Sequence, residues 1–188
     1  MTPATSNSAH HHVFLTGFSG SGKSSVGPIL ARLMKRQFVD LDARIVRLQG
    51  ASITDLFSSR GESYFRTLEA RTLQQVVAAA RGDLVVALGG GALLSPVNRE
   101  IVAATGTLVY LSCAVVEIYR RLSRLTDRPL LASTLAKPVA TRHETLERIR
   151  TLLSKRRPQY GQAAITCSTT SRSPQETARE LYTKLGYR

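Results

Sequence analysis

The sequence predicts an α/β protein in which a five-stranded parallel sheet lies between two layers of helices. Five short apolar, β-prone runs recur along the chain, and segments with helical spacing separate them. Strands that alternate with helices favour an open parallel sheet with right-handed crossovers. The first run is followed at 17–24 by the pattern G-x-x-x-x-G-K-S, which is typical of a phosphate-binding loop between a strand and a helix.

Each element has its own local pattern. The expected strands lie at 13–16, 37–41, 84–88, 107–111 and 163–167. The first helix is expected at 26–34, where apolar residues recur three and four positions apart. Further helices are predicted at 68–80, 115–125 and 146–153. Two more should begin at Ser95-Pro96 and Ser173-Pro174, because Ser followed by Pro is a cap and first-turn signal.

Length and composition favour a single globular domain at 13–188, preceded by a disordered tail at 1–12. The chain has 188 residues, of which 43% are hydrophobic and 21% charged. No apolar run approaches the roughly 18 residues of a membrane span, and the first dozen residues do not resemble a signal peptide. We therefore expect a cytoplasmic protein without a membrane partner. The His10–His12 tract is a candidate metal ligand set, but an incidental run or a tag remnant is the preferred interpretation.

The net charge and the cysteines say less about function than the motifs do. A net charge of +13 suits anionic partners, but Lys and Arg are scattered and only 6% of residues are aromatic, so we predict no nucleic-acid partner. Cys113 and Cys167 both lie in apolar, strand-like runs. Neither has the spacing of a metal or redox site, and we expect buried, reduced thiols.

The glycine-rich turn is the first candidate site. Its glycines let the backbone approach an anion, and its N–H groups and the following helix N-terminus point at that anion. Lys23 can reach the β- and γ-phosphates, and the Ser24 hydroxyl can ligate Mg²⁺. The alternative is a Gly/Ser-rich turn without a ligand. The motif predicts a nucleotide phosphate but does not identify what receives the phosphoryl group.

Asp40 and Asp42 are expected at the end of the second strand. A period of two puts both carboxylates on one face, at the edge of the sheet where ligands bind. One can hold Mg²⁺ through water, and the other can accept a proton from a substrate hydroxyl. A solvated pair in which Asp42 caps the next helix explains the pattern equally well.

Two further features suggest an anionic acceptor. Arg66 has Glu62 four residues before it and Glu69 three residues after it. This spacing fits a surface ion-pair ladder, or an arginine oriented by Glu69 and offered to a carboxylate. Three glycines at 89–91 follow the third strand and would let a ligand touch the main chain, although a flexible turn is the alternative.

Arginines near an irregular segment complete the candidate set. Arg128 precedes the segment at 132–141, and an arginine at the base of such a lid can close onto phosphates. Arg156 lies seven residues after Ile149 and therefore shares its apolar helical face. A charge there is costly unless it is paired. We interpret Arg156 as a buried cation awaiting an anionic ligand, in preference to a snorkelling side chain.

Taken in order, these motifs resemble the shikimate kinase family, small-molecule P-loop kinases with a nucleoside-monophosphate-kinase-like fold. The resemblance extends from about residue 13 to the end of the chain. Its elements are the P-loop, Asp40-Leu41-Asp42, Gly61-Glu62-x-x-Phe65-Arg66, Leu88-Gly89-Gly90-Gly91, Arg128-Pro129-Leu130-Leu131, and Arg156 before Pro158-x-Tyr160. The lid would span about 125–143 and looks several residues longer than the family's. An acceptor-binding helical segment would span about 42–70.

The resemblance implies transfer of the γ-phosphoryl group of ATP to the 3-hydroxyl of shikimate, in aromatic amino-acid biosynthesis, by a monomer with Mg²⁺. The implied catalytic residues are Lys23, Asp42 and Arg128. The implied ATP-binding residues are Gly20, Ser21, Gly22, Lys23, Ser24, Ser25, Arg121, Arg128, Arg172 and Pro174. The implied shikimate-binding residues are Asp42, Phe65, Arg66, Gly89, Gly90, Gly91 and Arg156. Ser24, and Asp40 through water, would hold the metal.

Two alternatives remain open. A gluconate-type sugar-acid kinase would share the P-loop and the lid, but it does not predict the Asp40-x-Asp42, Phe65-Arg66 and triple-glycine combination. A non-catalytic ligand-sensing domain of the same fold is usually fused to a DNA-binding helix-turn-helix. Only about a dozen residues precede the first strand, so we expect no such domain here.

Overall fold

The sheet predicted from the sequence is present. The computed structural model describes residues 11–124 and 141–188. Its five strands pair in the order β2-β3-β1-β4-β5, and every neighbouring pair is parallel. The strands are β1 His12–Thr16, β2 Gln37–Asp40, β3 Leu84–Ala87, β4 Gly106–Ser112 and β5 Ile165–Ser168. Each lies within one or two residues of its expected place.

Helices connect the strands. They are α1 Lys23–Leu33, α2 Leu41–Gln49, α3 Ile53–Ala78, α4 Pro96–Thr105, α5 Val115–Ser123, α6 Arg142–Tyr160 and α7 Pro174–Lys184. A short 3-10 turn, Ala92–Leu94, precedes α4. Helix α3 begins well before the predicted 68–80 segment and breaks at Gly61, whose φ of 79° is a left-handed value that glycine tolerates. The predicted lid at 125–143 lies largely outside the described residues, and its last two positions belong to α6.

Both faces of the sheet are buried. Strands β1 and β3 are buried along their whole length. Phe14 and Val86 belong to a core cluster on one face, whereas Leu15 and Val85 belong to the cluster on the other. Successive side chains of a strand point to opposite faces, so helices must cover both sides of a parallel sheet. This three-layer packing puts the carboxyl ends of all five strands at one edge.

The structure corrects the predictions for His12 and Cys113. His12 is a fully buried residue of β1 rather than part of a tail, and its Nδ1 accepts a hydrogen bond of 3.1 Å from the backbone N–H of Leu84. Strand pairing explains the difference, because His12 is in register with Gly106 of β4. Cys167 is buried, but Cys113 follows β4 and is only half-buried; both thiols are free.

The described residues contain neither a metal-ligating cluster nor a membrane-spanning helix. Within 11–124 and 141–188, no three or more His, Cys, Asp or Glu side chains are grouped to hold a metal ion. His10 lies outside this part of the chain. No helix in the same two ranges has both the length and the apolar character needed to cross a membrane.

Candidate active site

The glycine-rich turn joins β1 to α1 at the carboxyl edge of the sheet. Gly20 and Gly22 have φ values of 81° and 101°, which side chains rarely adopt, and α1 begins immediately afterwards. The Lys23 ammonium donates hydrogen bonds to the carbonyls of Gly17, at 2.8 Å, and Phe18, at 3.1 Å. The loop therefore wraps around a lysine at the N-terminus of a helix, a geometry suited to phosphate.

Ser24 and Asp40 are brought together by the pairing of β2 with β3. The Ser24 hydroxyl donates a hydrogen bond of 2.6 Å to Asp40 Oδ2. Asp40 Oδ1 accepts a hydrogen bond of 3.1 Å from the Ala43 N–H, so Asp40 is the N-cap of α2. A hydroxyl and a carboxylate in contact beside a phosphate-binding loop are suitable ligands for a hydrated divalent cation.

The placement of Asp42 at a strand end is wrong. Strand β2 ends at Asp40, and Asp42 lies in the first turn of α2. Strand β2 ends one residue earlier than predicted, because the extended backbone and carboxylate of Asp40 cap the helix there. Asp42 nevertheless reaches the glycine triplet. A Cβ placed on Gly89 would lie 2.8 Å from Asp42 Oδ1 and 2.6 Å from Glu69 Oε1.

Arg66 pairs with both glutamates, so the predicted ion-pair ladder and the predicted orientation by Glu69 are both present. Its Nη1 donates a 2.8 Å hydrogen bond to Glu69, whose side chain is wholly buried, and its Nη2 lies 3.2 Å from the exposed carboxylate of Glu62. A Cβ on Gly91 would lie 2.7 Å from Arg66 Nη2. The arginine is thus oriented by Glu69 and faces the glycine triplet.

The Glu69 carboxyl has an unusual protonation equilibrium. Burial raises its pKa to about 7; the charge and hydrogen bond of Arg66 oppose the rise, and the charge of Asp42 adds to it. Its Oε1 has no hydrogen-bond partner among the described residues, although that oxygen is buried. A carboxylate in this position loses hydration that one arginine only partly replaces.

Two aromatic rings support Arg66. Its guanidinium carbon lies 5.8 Å from the ring centre of Phe57 and 5.4 Å from that of Phe65, within cation–π range. Phe65 is only 3% exposed, so its contact with an acceptor stays a prediction. Phe57 was not among the residues predicted from the sequence. Its helical spacing before Gly61 was the available signal, but that part of α3 was not anticipated.

Arg156 approaches the triplet from α6. A Cβ on Gly90 would lie 3.2 Å from Arg156 Nη1, and 3.5 Å from both Gly17 O and Ser19 N of the P-loop. Within residues 11–124 and 141–188, no Asp or Glu forms an ion pair with Arg156. It is partly exposed rather than buried as predicted, and its guanidinium carbon lies 5.3 Å from the ring centre of Phe18.

The residues predicted to contact the nucleotide lie in different surroundings. Arg121 donates to the Gly20 carbonyl at 3.2 Å and the Thr169 carbonyl at 2.7 Å, so it lies against the P-loop. Arg172 is paired with Glu180 on α7, and Pro174 is the first residue of that helix. Ser21 is buried, Ser25 is exposed, and Arg128 lies outside the described residues.

Comparisons with known proteins place the chain among similar sequences and folds. A family model described as shikimate kinase matches residues 19–186. The shikimate kinase of Chlorobium luteolum is 42% identical over 176 residues, which cover 94% of this chain and 86% of that protein. A solved shikimate kinase from Acinetobacter baumannii, in complex with shikimate, superposes with a TM-score of 0.82 at 34% identity. That match covers 94% of this chain and 93% of the other.

A gluconokinase from Sinorhizobium meliloti has a TM-score of 0.57 at 20% identity, over 94% of this chain and 92% of that one. At this identity the likeness indicates a shared fold only.

Proposed function

The chain belongs to the shikimate kinase family, and on that premise we propose that it transfers the γ-phosphoryl group of ATP to the 3-hydroxyl of shikimate. Members of this family are ATP-dependent phosphotransferases with an alcohol acceptor. One observation supports the acceptor most directly. Asp42, Arg66 and Arg156 converge on the glycine triplet at 89–91, and its middle glycine adjoins the P-loop.

The donor half consists of the P-loop and its neighbours. Backbone N–H groups from Gly20 to Ser25 would hold the phosphates, with Arg121 beside them. Lys23, already inside the loop, would turn from the loop carbonyls to the β- and γ-phosphates. Charge on the transferring group would be stabilised by Lys23 and by Arg128. Arg172 and Pro174 would contact the adenine, in which case Arg172 shares its charge with Glu180.

The acceptor half consists of two arginines and a carboxylate. Arg66 and Arg156 would hold the carboxylate of shikimate, because guanidinium groups match that geometry. Asp42 would accept a hydrogen bond from the 3-hydroxyl and direct it at the γ-phosphate. Phosphoryl transfer has a loose transition state, so this positioning matters more than removal of the proton. Gly89, Gly90 and Gly91 leave room for the ring, and Phe65 would contact it.

Magnesium would bind between the two halves. Ser24 and Asp40 supply the oxygen ligands that Mg²⁺ prefers, and the remaining ligands would come from phosphates and water. When bound, the ion would screen the β- and γ-phosphate charge. Asp40 would act through a water molecule, as the family resemblance implies, while its Oδ1 keeps the hydrogen bond from the Ala43 N–H.

We also propose a cytoplasmic monomer that needs no nucleic-acid or membrane partner. Its substrates are small anions, and a net charge of +13 would favour their approach.

The function is tested by measuring ADP release with shikimate, quinate and gluconate in separate reactions. We expect turnover with shikimate. Turnover with gluconate but not shikimate would overturn the assignment in favour of a sugar-acid kinase, and binding without any turnover would favour a ligand-sensing domain.

The acceptor site is tested by Arg156→Ala. The dissociation constant for shikimate should rise at least about tenfold, because a charge-assisted hydrogen bond contributes about 1.5–3 kcal/mol, while ATP binding is retained. Equal loss of both affinities would refute the carboxylate-binding role.

A further inference from the structure

Tyr160 is the last residue of α6, and its side chain contacts the glycine triplet of the proposed acceptor site. Its hydroxyl donates a hydrogen bond of 2.7 Å to the Gly90 carbonyl. The side chain is 2% exposed, and its ring stacks on Tyr110 of β4 with centroids 4.8 Å apart and an interplanar angle of 19°. The stacking on Tyr110 and the burial of the ring therefore fix the position of the hydroxyl.

The hydroxyl stays protonated near neutral pH and can therefore donate this hydrogen bond. Burial raises the pKa of Tyr160 to about 12, and the nearby charge of Arg156 opposes the rise. Tyr160 thus stays protonated, and the hydrogen bond to Gly90 is not lost by ionisation near neutral pH.

Gly90 is where the two halves of the site meet. Arg156 Nη1 approaches one side of this residue, and Gly17 O and Ser19 N of the P-loop approach it as well. The peptide group is planar and trans, so fixing the Gly90 carbonyl also fixes the direction of the Gly91 N–H. Backbone hydrogen bonds from Ala92 and Leu94 hold the Gly89 and Gly91 carbonyls, and the Tyr160 hydroxyl holds the Gly90 carbonyl between them.

We propose that Tyr160 is a positioning residue for the acceptor. It lies one helical turn after Arg156 on the same face of α6. Its bond to Gly90 therefore fixes the distance between the arginine and the glycine triplet. Tyr160 itself does not touch the acceptor. The inference rests on the proposed acceptor site and adds to it a residue outside the pocket that sets the pocket's geometry.

The test is Tyr160→Phe in the full chain, which removes the hydroxyl and keeps the ring stacked on Tyr110. Titration calorimetry would give the dissociation constants of shikimate and of a non-hydrolysable ATP analogue. We expect shikimate affinity to fall about fivefold, the effect of one lost hydrogen bond. Affinity for the ATP analogue should change less than about twofold, since the tyrosine acts on the acceptor side of Gly90.

Tyr187→Phe is the matched control. The Tyr187 hydroxyl accepts a 2.7 Å hydrogen bond from Arg36, and its ring stacks on Tyr182, 5.1 Å away. The Arg36 partners Asp83 and His11 place this bond at the amino-terminal edge of the sheet, away from the site. This variant loses a comparable hydroxyl and should bind shikimate as the parent does.

Two results would overturn the inference. One is unchanged shikimate affinity in Tyr160→Phe. The other is an equal loss of shikimate and nucleotide affinity, which would indicate a general structural effect. Arg156→Gln separates this inference from the site on which it rests. If that variant binds shikimate normally, the acceptor site itself is wrong; if it binds weakly while Tyr160→Phe binds normally, only the role of Tyr160 is refuted.

Discussion

The buried Glu69 carboxyl should make the stability of this protein fall as pH rises through neutrality. In the unfolded chain its pKa is near the ordinary 4.5, whereas burial raises it to about 7 in the folded protein. The folded state therefore binds more protons than the unfolded state between these values. The contribution of Glu69 is fully present below pH 4.5 and is lost as pH rises through 7.

The magnitude follows from the size of the shift. With one pKa unit equivalent to about 1.4 kcal/mol, the change between pH 5 and pH 8 amounts to roughly 2 to 3 kcal/mol. Glu69→Gln removes the titration but keeps the shape and an acceptor for Arg66 Nη1, which the wild-type carboxylate binds at 2.8 Å. The stability gap between the variant and the parent should therefore shift by that amount, in favour of the variant at pH 8.

Urea unfolding at pH 5, 6, 7 and 8 would measure this gap. Other groups titrate in the same range, so the difference between the two proteins isolates Glu69. Glu117→Gln is the control, because hydrogen bonds from Arg120 lower the pKa of Glu117 to about 2. Its contribution is lost only as pH falls below 4.5, and its stability gap should stay constant between pH 5 and 8. A constant gap for Glu69→Gln as well would refute the reasoning.

Two further variants test the proposed metal site and the packing of α1 against β2. Asp40→Asn keeps an N-cap for α2, because Asn caps as well as Asp, but it removes the charge. The Mg²⁺ concentration for half-maximal activity should rise about tenfold, the effect of losing a charged interaction, with little change in melting temperature; an unchanged magnesium requirement would contradict the assignment. Gly27→Ala places a Cβ 2.2 Å from the Phe38 ring. Helix propensity favours Ala by about 1 kcal/mol, but overpacking costs about 1–3 kcal/mol, so urea unfolding should show a net loss that Phe38→Leu relieves. Equal or greater stability of Gly27→Ala alone would mean that the ring moves freely.

The parts of the site that belong to one local motif were predictable from sequence. The P-loop is such a part, because a strand, a glycine-rich turn and a helix N-terminus are encoded within a dozen consecutive residues. Arg66 was also found, since Glu62 and Glu69 lie at helical spacings from it. Residues after the carboxyl ends of the strands could be proposed as site residues, because parallel strands bring these ends to one edge of the sheet.

Other features depend on contacts between distant parts of the chain, and sequence spacing could not show them. His12 was assigned to a tail, because its partners Leu84 and Gly106 are far away in sequence. Asp42 was placed at the end of β2, with the cap of the next helix as the alternative. The choice between the two carboxylates depends on which one meets the free N–H groups at the start of α2, and Asp40 does so.

The sequence by itself determined the fold class, the phosphate-binding loop and the set of charged residues offered to an acceptor. Those properties follow from periodicity, turn chemistry and spacing, which are local. Only the tertiary structure showed that the buried Glu69 carboxyl faces Gly89 beside Asp42, and that the Tyr160 hydroxyl binds the Gly90 carbonyl. The physical reason is that burial and hydrogen bonding between β3, α2, α3 and α6 are set by packing on the sheet. That packing gives Glu69 its raised pKa. Among residues 11–124 and 141–188, no carboxylate forms an ion pair with Arg156, although the charge of Arg156 lowers the pKa of Glu69.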